Sequence, residues 1–100
     1  QAAVLKECDN KPTFTFFFAN WCGYCKKAQP EWEKFMEQYN GNVNILGVDC
    51  EKQKPLAKKH KVQGYPTIRY YPAGLSDISN YEPYKGKRDS SSFLNYCNSK

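Results

Sequence analysis

Long apolar runs are missing from this 100-residue chain. The longest runs, Phe16–Ala19 among them, fall far short of the ~20 residues a membrane helix needs, so neither a spanning helix nor a membrane partner is expected. The chain has no Asn-x-Ser/Thr sequon, retention tetrapeptide or lipidation box. No charged leader followed by an apolar stretch opens it, so a secretory signal peptide is not expected within these residues. Compartment therefore has to be argued from chemistry. A dominant charge is also missing. Fifteen Lys and Arg stand against ten Asp and Glu, and a net +5 favours acidic partners only mildly, so no nucleic-acid partner is expected. With no repeats, low-complexity tracts or linkers, residues 1–100 are expected to form one domain around one core.

What the chain does have is five cysteines: Cys8, Cys22, Cys25, Cys50 and Cys97. An odd number cannot close a disulfide framework internally.

The periodicity gives an order α-β-α-β-α-β-β-α. Residues 2–8 read as a short helix stopped by Asn10, Lys11 and Pro12. Thr13 to Ala19 is β-branched and aromatic without polar alternation, as in a central strand covered on both faces. From Cys22 to Tyr39 the apolar residues Ala28, Trp32, Phe35, Met36 and Tyr39 fall at helical spacing, with a kink expected near Lys26 or Lys27 because of Pro30. Val43–Asp49 reads as a second, parallel strand. Residues 52–61, with five lysines and His60, read as a short exposed helix. Thr67–Tyr71 and residues 79–84 read as an antiparallel pair, Pro83 marking an edge. Asp89 or Ser90 caps a last helix with Phe93, Leu94 and Cys97 on one face. The fold class is α/β, a mixed four- to five-stranded sheet with helices on both faces.

Cys22-Gly23-Tyr24-Cys25 falls where the first strand ends and the long helix begins. A thiol at a helix N-terminus meets unpaired backbone N–H groups and the positive end of the dipole, which favour thiolate, so Cys22 is the expected nucleophile. Cys25, one turn on, can close a small reducible disulfide with it and resolve a mixed disulfide formed on Cys22. Gly23 leaves the approach open, Trp21 offers an apolar wall and Lys26 adds a positive charge. A structural disulfide or half a zinc site are the alternatives. Zinc would require a second pair, for which Cys50 and His60 are a poor substitute, and no metal site is expected.

Taken together, Phe18-Ala19-Asn20-Trp21-Cys22-Gly23-Tyr24-Cys25-Lys26, Pro30, Val48-Asp49-Cys50 and Gly64-Tyr65-Pro66-Thr67 resemble the thioredoxin superfamily, and within it the catalytic domains of protein disulfide isomerases. The resemblance covers about residues 13–97. It implies a thioredoxin fold and a cis peptide at Tyr65-Pro66 beside the sulfurs, with the Tyr65 backbone offered to an extended substrate. Substrate contacts are then expected from Trp21, Gly23, Tyr24, Tyr65 and Pro66. Tyr84-Lys85-Gly86-Lys87-Arg88 is similar to a segment whose arginine approaches the second cysteine, which places Arg88 with Cys22 and Cys25 in the catalytic set.

Two positions depart from the family pattern. The buried acid usual six residues before the first cysteine is Phe16 here, and its lysine partner aligns with Gly47. Loss of both avoids a lone buried charge but removes a proton acceptor for Cys25, so slow resolution is expected. Tyr24 replaces the histidine of the commonest isomerase motif and cannot supply its charge.

The resemblance implies a thiol-disulfide oxidoreductase acting on cysteine-containing polypeptides, recharged by a redox partner protein or glutathione, without cofactor. It further implies a monomer in the endoplasmic reticulum lumen or another secretory compartment. The rivals are a cytosolic thioredoxin-like reductant and a redox-sensing, chaperone-like peptide-binding module. Cys8, Cys50 and Cys97 are expected to be packed thiols, with a Cys8–Cys97 bond disfavoured because the first and last helices usually cover opposite faces of such a sheet. The lysines at 52, 54, 58, 59 and 61 are expected to be a solvated face.

Overall fold

A computed structural model describes residues 5–100. A 3-10 turn at Leu5–Cys8 is followed by β1 (Thr13–Phe18), α1 (Gly23–Gln38), β2 (Asn44–Asp49), α2 (Lys54–Lys59), β3 (Thr67–Tyr71), β4 (Glu82–Pro83) and α3 (Ser90–Asn98). The strands form one sheet in the order β2-β1-β3-β4, parallel between β1 and β2 and antiparallel elsewhere. No described helix is long and apolar enough to cross a membrane.

The centre of this sheet is β1, which explains its unbroken apolar sequence. Side chains alternate across a strand, so Phe14 and Phe16 enter one core with Ala28, Trp32 and Phe35 of α1 and Phe93 and Cys97 of α3. Phe17 enters the other core, with Cys8, Leu46, Val48, Ala57 and Tyr71. Rings supply much of the first core: Phe14 lies 5.1 Å from Trp32, and Phe16 stacks on Trp32 at 5.0 Å. Cys8 and Cys97 thus lie on opposite faces of the sheet, as the sequence implied.

Several boundaries moved. Of the helix expected over 2–8, positions 2–4 lie outside the described residues, and the remainder is a 3-10 turn. The helix expected over 52–61 contracts to six residues with Pro55 in its first turn. The strand expected over 79–84 contracts to Glu82–Pro83, because residues 71–80 are spent on successive turns closed by Gly74 N–H to Tyr71 O, Asp77 N–H to Gly74 O and Asn80 N–H to Asp77 O. Gly74 has φ +93°, and a Cβ there would lie 2.4 Å from the Asp9 carbonyl oxygen, so glycine is the residue that fits. The long helix runs continuously through Pro30, with Cys22 and Tyr39 as its caps.

Candidate active site

The parallel β1–β2 pair delivers the chain from the sheet centre to the N-terminus of α1, where the cysteine motif begins. The intervening loop is anchored at both ends. Cys22 N–H donates to Ala19 O at 3.1 Å, Asn20 Nδ2 donates to Asp49 Oδ2 at 3.2 Å, and Asn20 N–H donates to Glu51 Oε1 at 3.2 Å. Asp49 Oδ1 also receives the N–H groups of Glu51 and Lys52, so one carboxylate orders the end of β2 and the approach to the motif. These positioning roles of Asn20, Asp49 and Glu51 were missed in the sequence reading. The available signal was Asx residues where strands give way to loops.

Cys22 is the N-cap of α1, and its Sγ accepts the Cys25 backbone N–H at 3.2 Å. An N-cap acceptor satisfies one of the orphan donors of the first turn, and charge on that acceptor is favoured by the same donors and by the helix dipole. Cys22 is 6% exposed and Cys25 1%. The second thiol therefore lies behind the first, and its burial raises its pKa well above the ordinary thiol value, the hydrogen bond with Cys22 adding to the effect. The Ala19 backbone and the Arg88 guanidinium pull in the other direction. Arg88, on an exposed loop between β4 and α3, is thus placed to act on Cys25 through space. The end of that loop is held where Glu31 Oε1 of α1 accepts the Ser90 N–H at 2.9 Å.

Around the thiols, Trp21 and Tyr24 are 67% and 68% exposed, and a Cβ on Gly23 would meet nothing within 4 Å. The Tyr65–Pro66 bond is cis, and Tyr65 packs against Ala19, Cys22 and Cys25. Its ring meets Trp21 edge-on at 5.7 Å, and its hydroxyl shares a hydrogen bond with Cys50. The structure thus gathers Trp21, Gly23, Tyr24, Tyr65 and Pro66 around Cys22, with Cys25 buried behind it and Arg88 acting on Cys25 through space. A concavity of about 920 Å³ lined by Glu33, Met36, Tyr39 and Ile45 lies at the other end of α1, away from the sulfurs.

Phe16 and Gly47 are direct neighbours across the β1–β2 ladder. Phe16 is buried between the rings of Phe18 and Trp32, while Gly47 is exposed and would have ordinary space for a Cβ. No side chain at either position can take a proton. The other cysteines are held away from reactivity: Cys97 is pushed up to about 12 by burial, and burial likewise raises Cys8 and Cys50.

The family model for thioredoxin matches residues 1–99. The chain belongs to the thioredoxin family. The four-stranded mixed sheet of this thioredoxin-family chain, with helices on both faces, is the thioredoxin fold. The chain is 37% identical over 84 residues to the protein disulfide-isomerase A6 homolog of Drosophila melanogaster, covering 84% of this chain and 19% of that one. It is 42% identical over 81 residues to protein disulfide isomerase-like 2-3 of Oryza sativa subsp. japonica, covering 81% and 18%. The chain thus spans about a fifth of the length of these curated relatives. A solved structure of the first two thioredoxin domains of Naumovozyma dairenensis Eps1p is similar with a TM-score of 0.78 and 26% identity, over 91% of this chain and 35% of that one.

Proposed function

We propose that this thioredoxin-family chain is a thiol-disulfide oxidoreductase of the disulfide-isomerase type, acting on cysteine-containing polypeptides. The observation that carries the proposal is the sulfur of Cys22 seated as N-cap of α1, with Cys25 one turn behind it and buried.

Cys22 attacks one sulfur of a substrate disulfide as a thiolate. A Cys22–substrate disulfide forms, the substrate S–S bond breaks, and the other substrate sulfur leaves as thiolate. Cys25, once deprotonated, then attacks the Cys22 sulfur, so that a Cys22–Cys25 disulfide forms and the second substrate thiolate departs. In sum the substrate gains two electrons and the dithiol loses them. Run in reverse, the same steps oxidise a substrate dithiol. When a substrate thiol resolves the mixed disulfide instead, the substrate is isomerised. The two sulfurs carry both electrons, so the exchange calls for no cofactor. Arg88 assists by favouring the Cys25 thiolate. Trp21, Tyr24 and the Tyr65–Pro66 backbone form the surface on which the polypeptide lies, with Gly23 giving access.

Recharging falls to a redox partner protein or glutathione. The chain acts as a single domain and a monomer, in the endoplasmic reticulum lumen or a related secretory compartment. The similarity to proteins named disulfide isomerases supports this reading over a cytosolic reductant.

Trapping tests it. Cys25→Ala should accumulate covalent complexes with scrambled, disulfide-bonded polypeptides through Cys22, visible as reducible adducts, and Cys22→Ala should abolish them. Peptide affinity persisting in Cys22→Ala without any adduct in Cys25→Ala would instead identify a binding module. Refolding of a scrambled multi-disulfide protein, run beside an insulin-type reductase assay, separates isomerase from reductant: reduction without rescue indicates the latter.

A further inference from the structure

The segment that leads into Pro66 is tied to the rest of the molecule by a side chain, not by its backbone. Among the described residues, Gln63, Gly64 and Tyr65 make no backbone–backbone hydrogen bond, so the Tyr65 N–H and C=O are not committed to the fold. Thr67 Oγ1 donates to Gly64 O at 2.5 Å and closes the turn, while Thr67 itself pairs with Phe17 of β1. On the side of the sulfurs the anchor is the Tyr65 ring. It packs against Ala19, Cys22 and Cys25 and, at the same time, against the separate cluster that holds Phe17, Val48 and Cys50.

The far end of that ring is fixed by Cys50. The Cys50 N–H donates to Phe18 O at 2.9 Å, which seats the residue beside the end of β1. Its Sγ lies 3.8 Å from Val48 O, and since a carbonyl only accepts, the thiol hydrogen points there. The sulfur lone pairs are left for Tyr65, whose hydroxyl donates to Cys50. Cys50 is 4% exposed, so little water competes for this acceptor. The ring is thus braced twice, at its hydroxyl by Cys50 and at its flank by Trp21, which it meets edge-on at 5.7 Å.

We propose that Cys50 is a positioning residue for the polypeptide substrate: by holding the Tyr65 hydroxyl it keeps the Tyr65–Pro66 backbone in place for an extended chain lying beside Cys22. The assignment rests on the oxidoreductase reading above and adds to it a residue that makes no substrate contact and exchanges no disulfide. A backbone already ordered before the substrate arrives lowers the entropy lost on binding. A small disulfide draws nothing from this brace, because it needs only the Cys22 sulfur, with the approach over Gly23 open. The brace therefore acts on polypeptide binding and not on the sulfur chemistry.

Stopped-flow tryptophan fluorescence tests this. The reduced chain is mixed with an excess of a peptide joined to glutathione by a disulfide at a central cysteine, and separately with a small aromatic disulfide. The rate against peptide concentration gives a half-saturation value and a limiting rate. Cys50→Ala and Tyr65→Phe should each raise the half-saturation value by about three- to tenfold and leave the limiting rate unchanged. The double variant should be no worse than either single one, since both remove the same bond. Cys50→Ser, which keeps an acceptor for Tyr65 and a donor for Val48 O, should recover most of the loss, whereas a thiol that serves only as packing gains nothing from serine over alanine. With the small disulfide, Cys50→Ala should react at the wild-type rate. Where Cys50→Ala fails to fold, Tyr65→Phe, which loses only the hydroxyl, carries the same comparison. An unchanged half-saturation value in the single variants, equal losses toward the peptide and the small disulfide, or additive losses in the double variant overturn the assignment and leave the oxidoreductase reading in place. A wild-type chain inert toward both disulfides removes that reading, and the assignment with it.

Discussion

At the residue scale, the question is how Cys25 loses its proton. Burial holds its pKa up, and the neighbouring Cys22 adds to that through a hydrogen bond and its charge. Once Cys22 is tied in a mixed disulfide, both contributions from Cys22 weaken and burial remains. The group whose thiolate is needed for resolution therefore titrates above the ordinary thiol value of 9.0, and the resolution rate should keep rising with pH beyond 9. Stopped-flow release of a trapped mixed disulfide, followed from about pH 7 to 10 so that the ordinary thiol value is bracketed, checks this. A plateau below pH 8 would contradict it. Arg88 opposes the upward shift from an exposed position, so its charge is partly screened. Arg88→Ala should slow resolution by roughly three- to tenfold, and Arg88→Lys should restore much of the rate if charge alone is what acts. Attack of Cys22 on substrate should change little in either variant.

Phe16 poses the same question from the other side. Replacing it by Glu puts a carboxylate on the strand that leads to the motif, at the position where the family pattern has the acid that takes the proton of the second cysteine. Resolution should then accelerate and its pH profile should flatten. The substitution also removes ring stacking on Trp32 and Phe18 and buries a charge, which costs roughly 3–5 kcal/mol. The double variant Phe16→Glu/Gly47→Lys supplies a partner from the adjacent position of β2, where there is space for a side chain. It should be more stable than Phe16→Glu alone. Folded double variant with an unchanged resolution rate, by the same stopped-flow assay, would show that the absent acid is not what limits release.

At the scale of elements, the reading from sequence succeeded where local physics and tertiary context agree. The unbroken Thr13–Phe18 run could only be a strand with both faces covered, and it is the sheet's centre. The Ala28, Trp32, Phe35 spacing placed α1, and the cysteine motif fell on its first turn as expected. Residues 79–84 failed because Tyr81 and Tyr84 suit a strand, while the hydrogen bonds of the preceding segment are taken up in turns. The hydrogen-bonded His60–Arg69–Tyr71 chain was illegible for a different reason: it joins the end of α2 to β3, and nothing local in a lysine-rich helix shows that the histidine capping it turns inward. Asn20, Asp49 and Glu51 share that difficulty, since their bonds span the gap between two loops. The α3 cap was legible, and it ties stability to the site. Asp89 Oδ1 accepts the Ser92 N–H at 2.8 Å one residue after Arg88. Asp89→Ala should lower the melting temperature, with Asp89→Asn losing less because an amide oxygen still caps. It should also slow resolution through a looser Arg88, whereas Ser91→Ala, two positions further on, should leave the resolution rate unchanged. Differential scanning calorimetry and the stopped-flow assay read the two effects.

For the whole molecule, the buried His60–Arg69–Tyr71 chain sets a pH dependence of stability separate from that of the dithiol. His60 is held neutral: burial lowers its pKa below 6.5, and the Arg69 and Lys59 charges push it down further. The groups that face it are cationic or neutral, namely Arg69, Tyr71 and, around a small cavity that it lines, Lys59, Lys61 and Tyr81. Folded and unfolded chains both carry a neutral ring above pH 6.5, so the full stabilisation is present there. As pH falls below 6.5 the unfolded chain takes up a proton that the folded chain refuses, and stability drops until the folded pKa is reached. One such proton sets a limiting slope of about 1.4 kcal/mol per pH unit. Urea midpoints should therefore fall between pH 7 and 5 (a span of about two units around the ordinary histidine value). His60→Gln, which cannot titrate, should be less stable at neutral pH but nearly flat across that interval. A wild-type midpoint independent of pH over the same range would mean that His60 protonates without cost, against its burial beside Arg69 and Lys59.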